Sequence, residues 1–71
     1  MNLNHIRERL TGGFKPFVIE TSAGNRCEVP HPEFIAVGKA VVVVLGRNDS
    51  STKIDALNIT ALHDLPTNKR R

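Results

Sequence analysis

Residues 34–45 read FIAVGKAVVVVL, and this stretch decides the fold. Two apolar runs, Phe34 to Val37 and Ala40 to Leu45, flank Gly38-Lys39, and a glycine in the first central position of a two-residue loop suits a type II′ hairpin turn. Four consecutive valines, Val41 to Val44, are stiff at χ1 and fit a pleated surface better than a helix. Because Val41 to Leu45 is apolar at every position, it is expected to be covered on both faces, as the central and most buried strand.

Downstream, Gly46 to Ser51 is a polar loop. Thr52 to Leu57 then alternates, with Ile54 and Ala56 opposite Lys53 and Asp55. A further strand, Ile59 to Asp64, follows after Asn58 alone, which is too little for a hairpin and predicts a sharp bend or a short 3₁₀ turn. Upstream, Pro30-His31-Pro32 makes a rigid corner, because each proline lacks an amide donor and biases the residue before it to extended backbone. Before the corner, Phe14 to Thr21 and Arg26 to Val29 form a half-buried hairpin around Ser22-Ala23-Gly24-Asn25. In it Phe17 and Ile19 share one face and Val18 and Glu20 the other, and Cys27 and Val29 lie opposite Arg26 and Glu28. At the start of the chain, Leu3, Ile6 and Leu10 are spaced as one stripe of a short amphipathic helix, capped by Asn2 or Asn4 and ended by Thr11-Gly12-Gly13.

One helix followed by about five short strands predicts a mostly β (α+β) chain: an N-terminal helix, then a small, five-stranded, strongly bent antiparallel barrel. Closure would also hide the strand edges. Residues 1–65 form this domain, and residues 66–71, PTNKRR, a disordered basic tail.

The chain has 71 residues, 39% of them hydrophobic and 24% charged, which is too apolar for disorder and too short for two cores. A domain of this size buries only about 60% of the surface its unfolded chain exposes, so burial shared between copies is expected. Cys27 is the single cysteine, which removes a disulfide framework. The N-terminus carries no signal-peptide pattern, and the longest apolar run falls far short of the roughly 20 residues that span a bilayer. A soluble, cytoplasmic protein without a membrane partner is expected. The formal charge of +3 is deceptive, because Lys69, Arg70 and Arg71 close the chain and the rest balances to zero. A basic tail on a neutral domain is a weaker nucleic-acid signal than a basic face.

The stretch LGRNDSSTKIDALNITAL, Leu45 to Leu62, resembles the bacterial Sm-like proteins of the Hfq type. In these a hydrophobic strand, a loop bearing Arg and Asn, a strand, a tight turn and a last strand opening with Ile-Ser-Thr follow one another; here Ile59-Thr60-Ala61 stands at that opening. The resemblance implies an N-terminal helix, a five-stranded bent barrel and assembly into rings. Where that family places an RNA-stacking aromatic and a Lys-His pair, however, this chain carries Val42, Ala56 and Leu57, none of which stacks on a base or grips a phosphate. Separately, FKPFVIETSAG (residues 14–24) and EVPHPEF (residues 28–34) resemble small uncharacterised bacterial proteins that share a Pro-Phe strand and a His-Pro-Glu corner. That second resemblance implies a bacterial origin and no chemistry.

Candidate sites are few. His5, His31, His63 and Cys27 show no metal-ligand spacing, so no metal and no cofactor is expected. There is no glycine-rich phosphate cradle and no catalytic triad pattern. His31, Glu33 and Phe34 form a patch on the rigid corner that suits a protein partner. For RNA or DNA the resources are Arg7 and Arg9 on the helix and Lys69, Arg70 and Arg71 in the tail. The leading reading is a non-enzymatic protein that forms a homo-oligomer and contacts RNA or DNA weakly. Its alternative is a protein–protein interaction or regulatory module without a nucleic-acid partner, and the third is a small enzyme at the His31 corner.

Overall fold

The computed structural model describes residues 1–65. Behind the helix α1 (Asn4–Leu10) come β1 (Phe17–Thr21), β2 (Arg26–Val29), β3 (Ile35–Val37), β4 (Val41–Leu45), β5 (Ser51–Asp55) and β6 (Ile59–Asp64). The strands pair in two antiparallel sheets, ordered β2-β1-β6 and β3-β4-β5. The mostly β reading with one N-terminal helix therefore stands. Strands number six among the described residues, one for each of the runs read in the sequence and one more than the five of the expected barrel. The hydrogen-bonded ladders do not close, and β2, β6, β3 and β5 each keep one unpaired edge. Residues 66–71, expected as a basic tail, lie outside the described residues.

Two 3₁₀ turns carry the chain between sheets. Pro32–Phe34 takes it from β2 to β3, with the Phe34 N–H donating to the His31 carbonyl at 3.1 Å. Ala56–Asn58 returns it from β5 to β6, as the lone Asn58 between two strand patterns predicts. At the helix start, the Asn2 side-chain oxygen accepts the Asn4 N–H at 2.9 Å, and its carbonyl accepts the His5 N–H at 3.2 Å. The helix stops where Thr11 turns extended and Gly12 and Gly13 take φ of +67° and +100°, a region open to glycine at little steric cost.

The core gathers Leu3 at the N-cap of α1 and Ile6 within it, Phe17 and Ile19 from β1, Val29 from β2, Val42 and Val44 from β4, Ile54 from β5 and Ile59 from β6. Two expectations are corrected here. The first concerns the most buried strand, which is β1: Phe17, Val18 and Ile19 are all buried, whereas β4 alternates. Val42 and Val44 enter the core, Val41 and Val43 are half-buried, and Leu45 is 41% exposed. The apolar run on β4 is thus fully covered on one face and partly on the other, and the expected half-buried hairpin contains the best-covered strand.

The second correction is the β3–β4 turn. Val37 pairs with Val42, and the Gly38 N–H donates to the Val41 carbonyl at 2.8 Å, so Lys39 and Ala40 occupy the loop. Gly38 is absent from the positive-φ glycines, so the turn is not type II′. The shifted register puts Ile35 opposite Val44 and Val37 opposite Val42. Large side chains then meet on the core face, where a Gly38-Lys39 loop would have set Val37 against Ala40.

Candidate functional site

The corner patch forms in part as expected. His31 and Glu33 are exposed and Phe34 is half-buried, with the His31 and Phe34 rings edge-to-face at 5.4 Å between centroids. Such an edge-to-face contact fixes the imidazole over the corner. No ion pair joins His31 to Glu33 among the described residues, so the two are presented side by side without forming an acid–base pair. Beside this patch runs a groove of about 420 Å³ whose apolar floor is Pro30, Phe34 and Leu45, with Arg26 and Glu28 contributed by β2.

Leu45 connects the groove to the outer face of the second sheet. There Val41, Val43 and Leu45 register with Asp55, Lys53 and Ser51 of β5, and Val43 registers with Ala36 of β3. Paired residues share a face, so the polar alternation of β5 marks this side of β4 as the solvent side. That signal is present in the sequence but only usable once the β4–β5 register is known.

The helix arginines turn back onto the chain. Arg7 donates to Asn4 Oδ1 at 2.9 Å and to the Gly38 carbonyl at 2.6 Å. Arg9 pairs with Asp64, and its guanidinium lies 4.9 Å from the centre of the Phe17 ring. The hydrogen bond and charge of Arg9 hold the Asp64 carboxyl below the ordinary carboxylate range. Lys69, Arg70 and Arg71, the other candidates for nucleic-acid contact, lie outside the described residues. On the outer face of the first sheet, His63 Nε2 stands 2.6 Å from Glu20 Oε1, with Val18 in register beside His63.

Cys27 is half-buried in the mouth of a second groove of about 310 Å³, between the β1–β2 turn and β5, and burial pushes its thiol pKa up. A raised thiol pKa lowers the thiolate fraction, so this cysteine is a poor nucleophile. The described residues contain no group of three or more His, Cys, Asp or Glu placed to hold a metal ion. No described helix is long and apolar enough to cross a membrane. No family model, no curated protein and no solved structure matches the chain.

Proposed function

We propose that this chain is a non-enzymatic, Sm-like binding protein whose first partner is another copy of itself. The observation that carries the reading is the outer face of β4, where Val41, Val43 and Leu45 form an apolar stripe that the chain itself leaves half-covered. Apolar area removed from water contributes roughly 25 cal/mol per Å², so covering such a stripe favours association, and most of all for a domain of marginal size. The Sm-like part is supported by element order: an N-terminal helix, then short antiparallel strands, with a tight 3₁₀ turn just before the last described one. Weak contact with RNA or DNA completes the reading and falls to the basic tail, since Arg7 and Arg9 are engaged within the chain.

Light scattering over a range of concentrations tests the assembly. Masses above the 7.8 kDa of one chain are expected, and a monomer mass at every concentration would retire the proposal. Gel-shift binding to single-stranded RNA at two salt concentrations tests the nucleic-acid part, because phosphate contacts impose a steep salt dependence. An absence of any salt-sensitive shift at micromolar protein favours the second reading, a protein–protein module. The groove of Pro30, Phe34 and Leu45 beside the His31 corner supports that module, since an apolar floor with a charged rim is the usual anatomy of a contact patch.

A further inference from the structure

The free edge of β5 is a self-complementary seam, and we infer that two copies of this chain join there in an antiparallel β5–β5 ladder. This rests on the self-association reading and adds to the outer face of β4 a second contact, the edge of β5, with its register.

Backbone direction along β5 follows from its neighbours. The Ala56 N–H donates to the Ala40 carbonyl at 2.8 Å, and the Gly46 N–H to the Ser50 carbonyl at 2.7 Å. In an antiparallel ladder, hydrogen-bonded and non-hydrogen-bonded pairs alternate. Thr52 and Ile54 therefore turn their backbone groups toward β4, while Ser51, Lys53 and Asp55 turn theirs outward, to an edge that no strand occupies. A groove of about 310 Å³ runs beside this edge, lined by Thr52 to Asp55 on one side and by Asn25 and Cys27 on the other.

Side-chain charge then selects the register. A two-fold axis at Lys53 would set lysine against lysine, and one at Thr52 would set Lys53 against Ser51. An axis at Ile54 sets Lys53 of each copy opposite Asp55 of the other, giving two cross-strand ion pairs. The same register matches the outward backbone groups, because Lys53 and Asp55 are both outward and so form the hydrogen-bonded pairs. Like charges opposite one another on paired strands are unfavourable and opposite charges favourable, so the Ile54 register is preferred. Both groups are available for it. Among the described residues Arg9 pairs with Asp64 and Glu20 lies against the His63 ring, which leaves exposed Lys53 and Asp55 outside both contacts.

Val43 and Val41 register with Lys53 and Asp55 on the outer face, so joining two β5 edges puts the valine stripes of both copies on one face of a six-stranded sheet, with the paired Lys53 and Asp55 side chains between them. Leu57, 88% exposed, stands just past the end of the seam, beside Ser51 of the other copy. The unpaired edge of β6 offers a poorer match, because its Asp64 is already held by Arg9.

Charge exchange tests the seam on the full chain, with the dissociation constant read by sedimentation and folding followed by circular dichroism. Lys53→Glu and Asp55→Lys each place two like-charge contacts in the ladder, and each is expected to weaken dimerisation by about tenfold or more. The double variant Lys53→Glu with Asp55→Lys restores both pairs in exchanged positions and is expected to return to within about threefold of the parent. The parent itself should reach twice the 7.8 kDa chain mass. If the parent associates but the single reversals do not weaken it, or the double variant fails to recover, the seam is wrong while self-association stands. A parent that stays monomeric overturns both.

Discussion

β1 and β4 are each the middle strand of a three-stranded sheet, yet their sequences and their surroundings are mismatched. β1 reads FVIET and contains a glutamate and a threonine, but Phe17, Val18 and Ile19 are 0%, 3% and 0% exposed. β4 reads VVVVL and is apolar throughout, but only Val42 and Val44 are buried. The difference lies in what the neighbours supply. The core face of β1 meets the helix and the second sheet, and on its outer face Val18 is flanked in register by Glu28 and His63, with the Glu20–His63 pair beside it. Long polar side chains roof an apolar one by laying their stems across it. The roof over β4 is thinner, since Lys53 and the shorter Asp55 on one flank and the small Ala36 on the other leave its outer valines half-open. An apolar strand therefore records a demand for cover, and for β4 half of that demand is unmet within the chain.

The sharpest break of this comparison is a pair of adjacent substitutions on β4. Val42→Asp puts a carboxylate in the core without a partner and is expected to cost several kcal/mol, enough to unfold a domain of ordinary stability in thermal melts. Val43→Asp, one residue away, is expected to cost the fold under about 1 kcal/mol while lowering self-association. Equal damage at both positions would mean that β4 is covered on both faces after all. On β1, Phe17→Ala removes a fully buried ring and the contacts it makes with Arg9, Phe14 and the core, for an expected loss of about 3–5 kcal/mol in denaturant titration. A loss below about 1 kcal/mol would deny β1 its central place.

Smaller effects probe the edges of the first sheet. The Asp64 carboxyl has its pKa depressed in the folded chain by the Arg9 hydrogen bond and charge. A depressed folded pKa contributes stability that is present above the unfolded pKa and disappears as pH falls through the folded value. The Tm advantage of the parent over Asp64→Asn should accordingly shrink as pH drops below about 4, and a gap unchanged between pH 7 and pH 3 would remove Asp64 from the account. At the β1–β2 turn, Gly24 holds φ at +87° with open space around it. Gly24→Ala should cost about 1 kcal/mol through backbone strain alone, and a neutral result would show that the turn relaxes.

Much of this architecture is legible in the residues because local chemistry and global position agree. The spacing of Leu3, Ile6 and Leu10 with the Gly12-Gly13 stop delivers α1, and Pro30-His31-Pro32 delivers the first corner. What is not legible is cover. Nothing in VVVVL distinguishes the side that meets the core from the side that meets solvent; the β5 register decides it. The one-residue slip at Lys39-Ala40 has the same origin, since a turn preference worth little yields to valines seeking valines across the sheet. For the candidate site, the corner residues were findable from their prolines. The outer stripe and the charge pattern of β5 were visible as letters and acquired meaning only when pairing placed them on one face.

The helix offers a consequence for the order in which the chain is made. Arg7 grips the Gly38 carbonyl, 31 residues away, and Arg9 grips Asp64, 55 residues away. A seven-residue helix is too short to persist alone in water. It leaves the ribosome before any of the six strands, yet its anchors lie as far along the chain as β6. Until β6 has been synthesised and docked, Leu3 and Ile6 have no finished pocket to fill, and the slow, long-range closure that fixes them falls at the end of folding. A chain cut short within β6 would thus lose the docking of α1 as well as β6 itself.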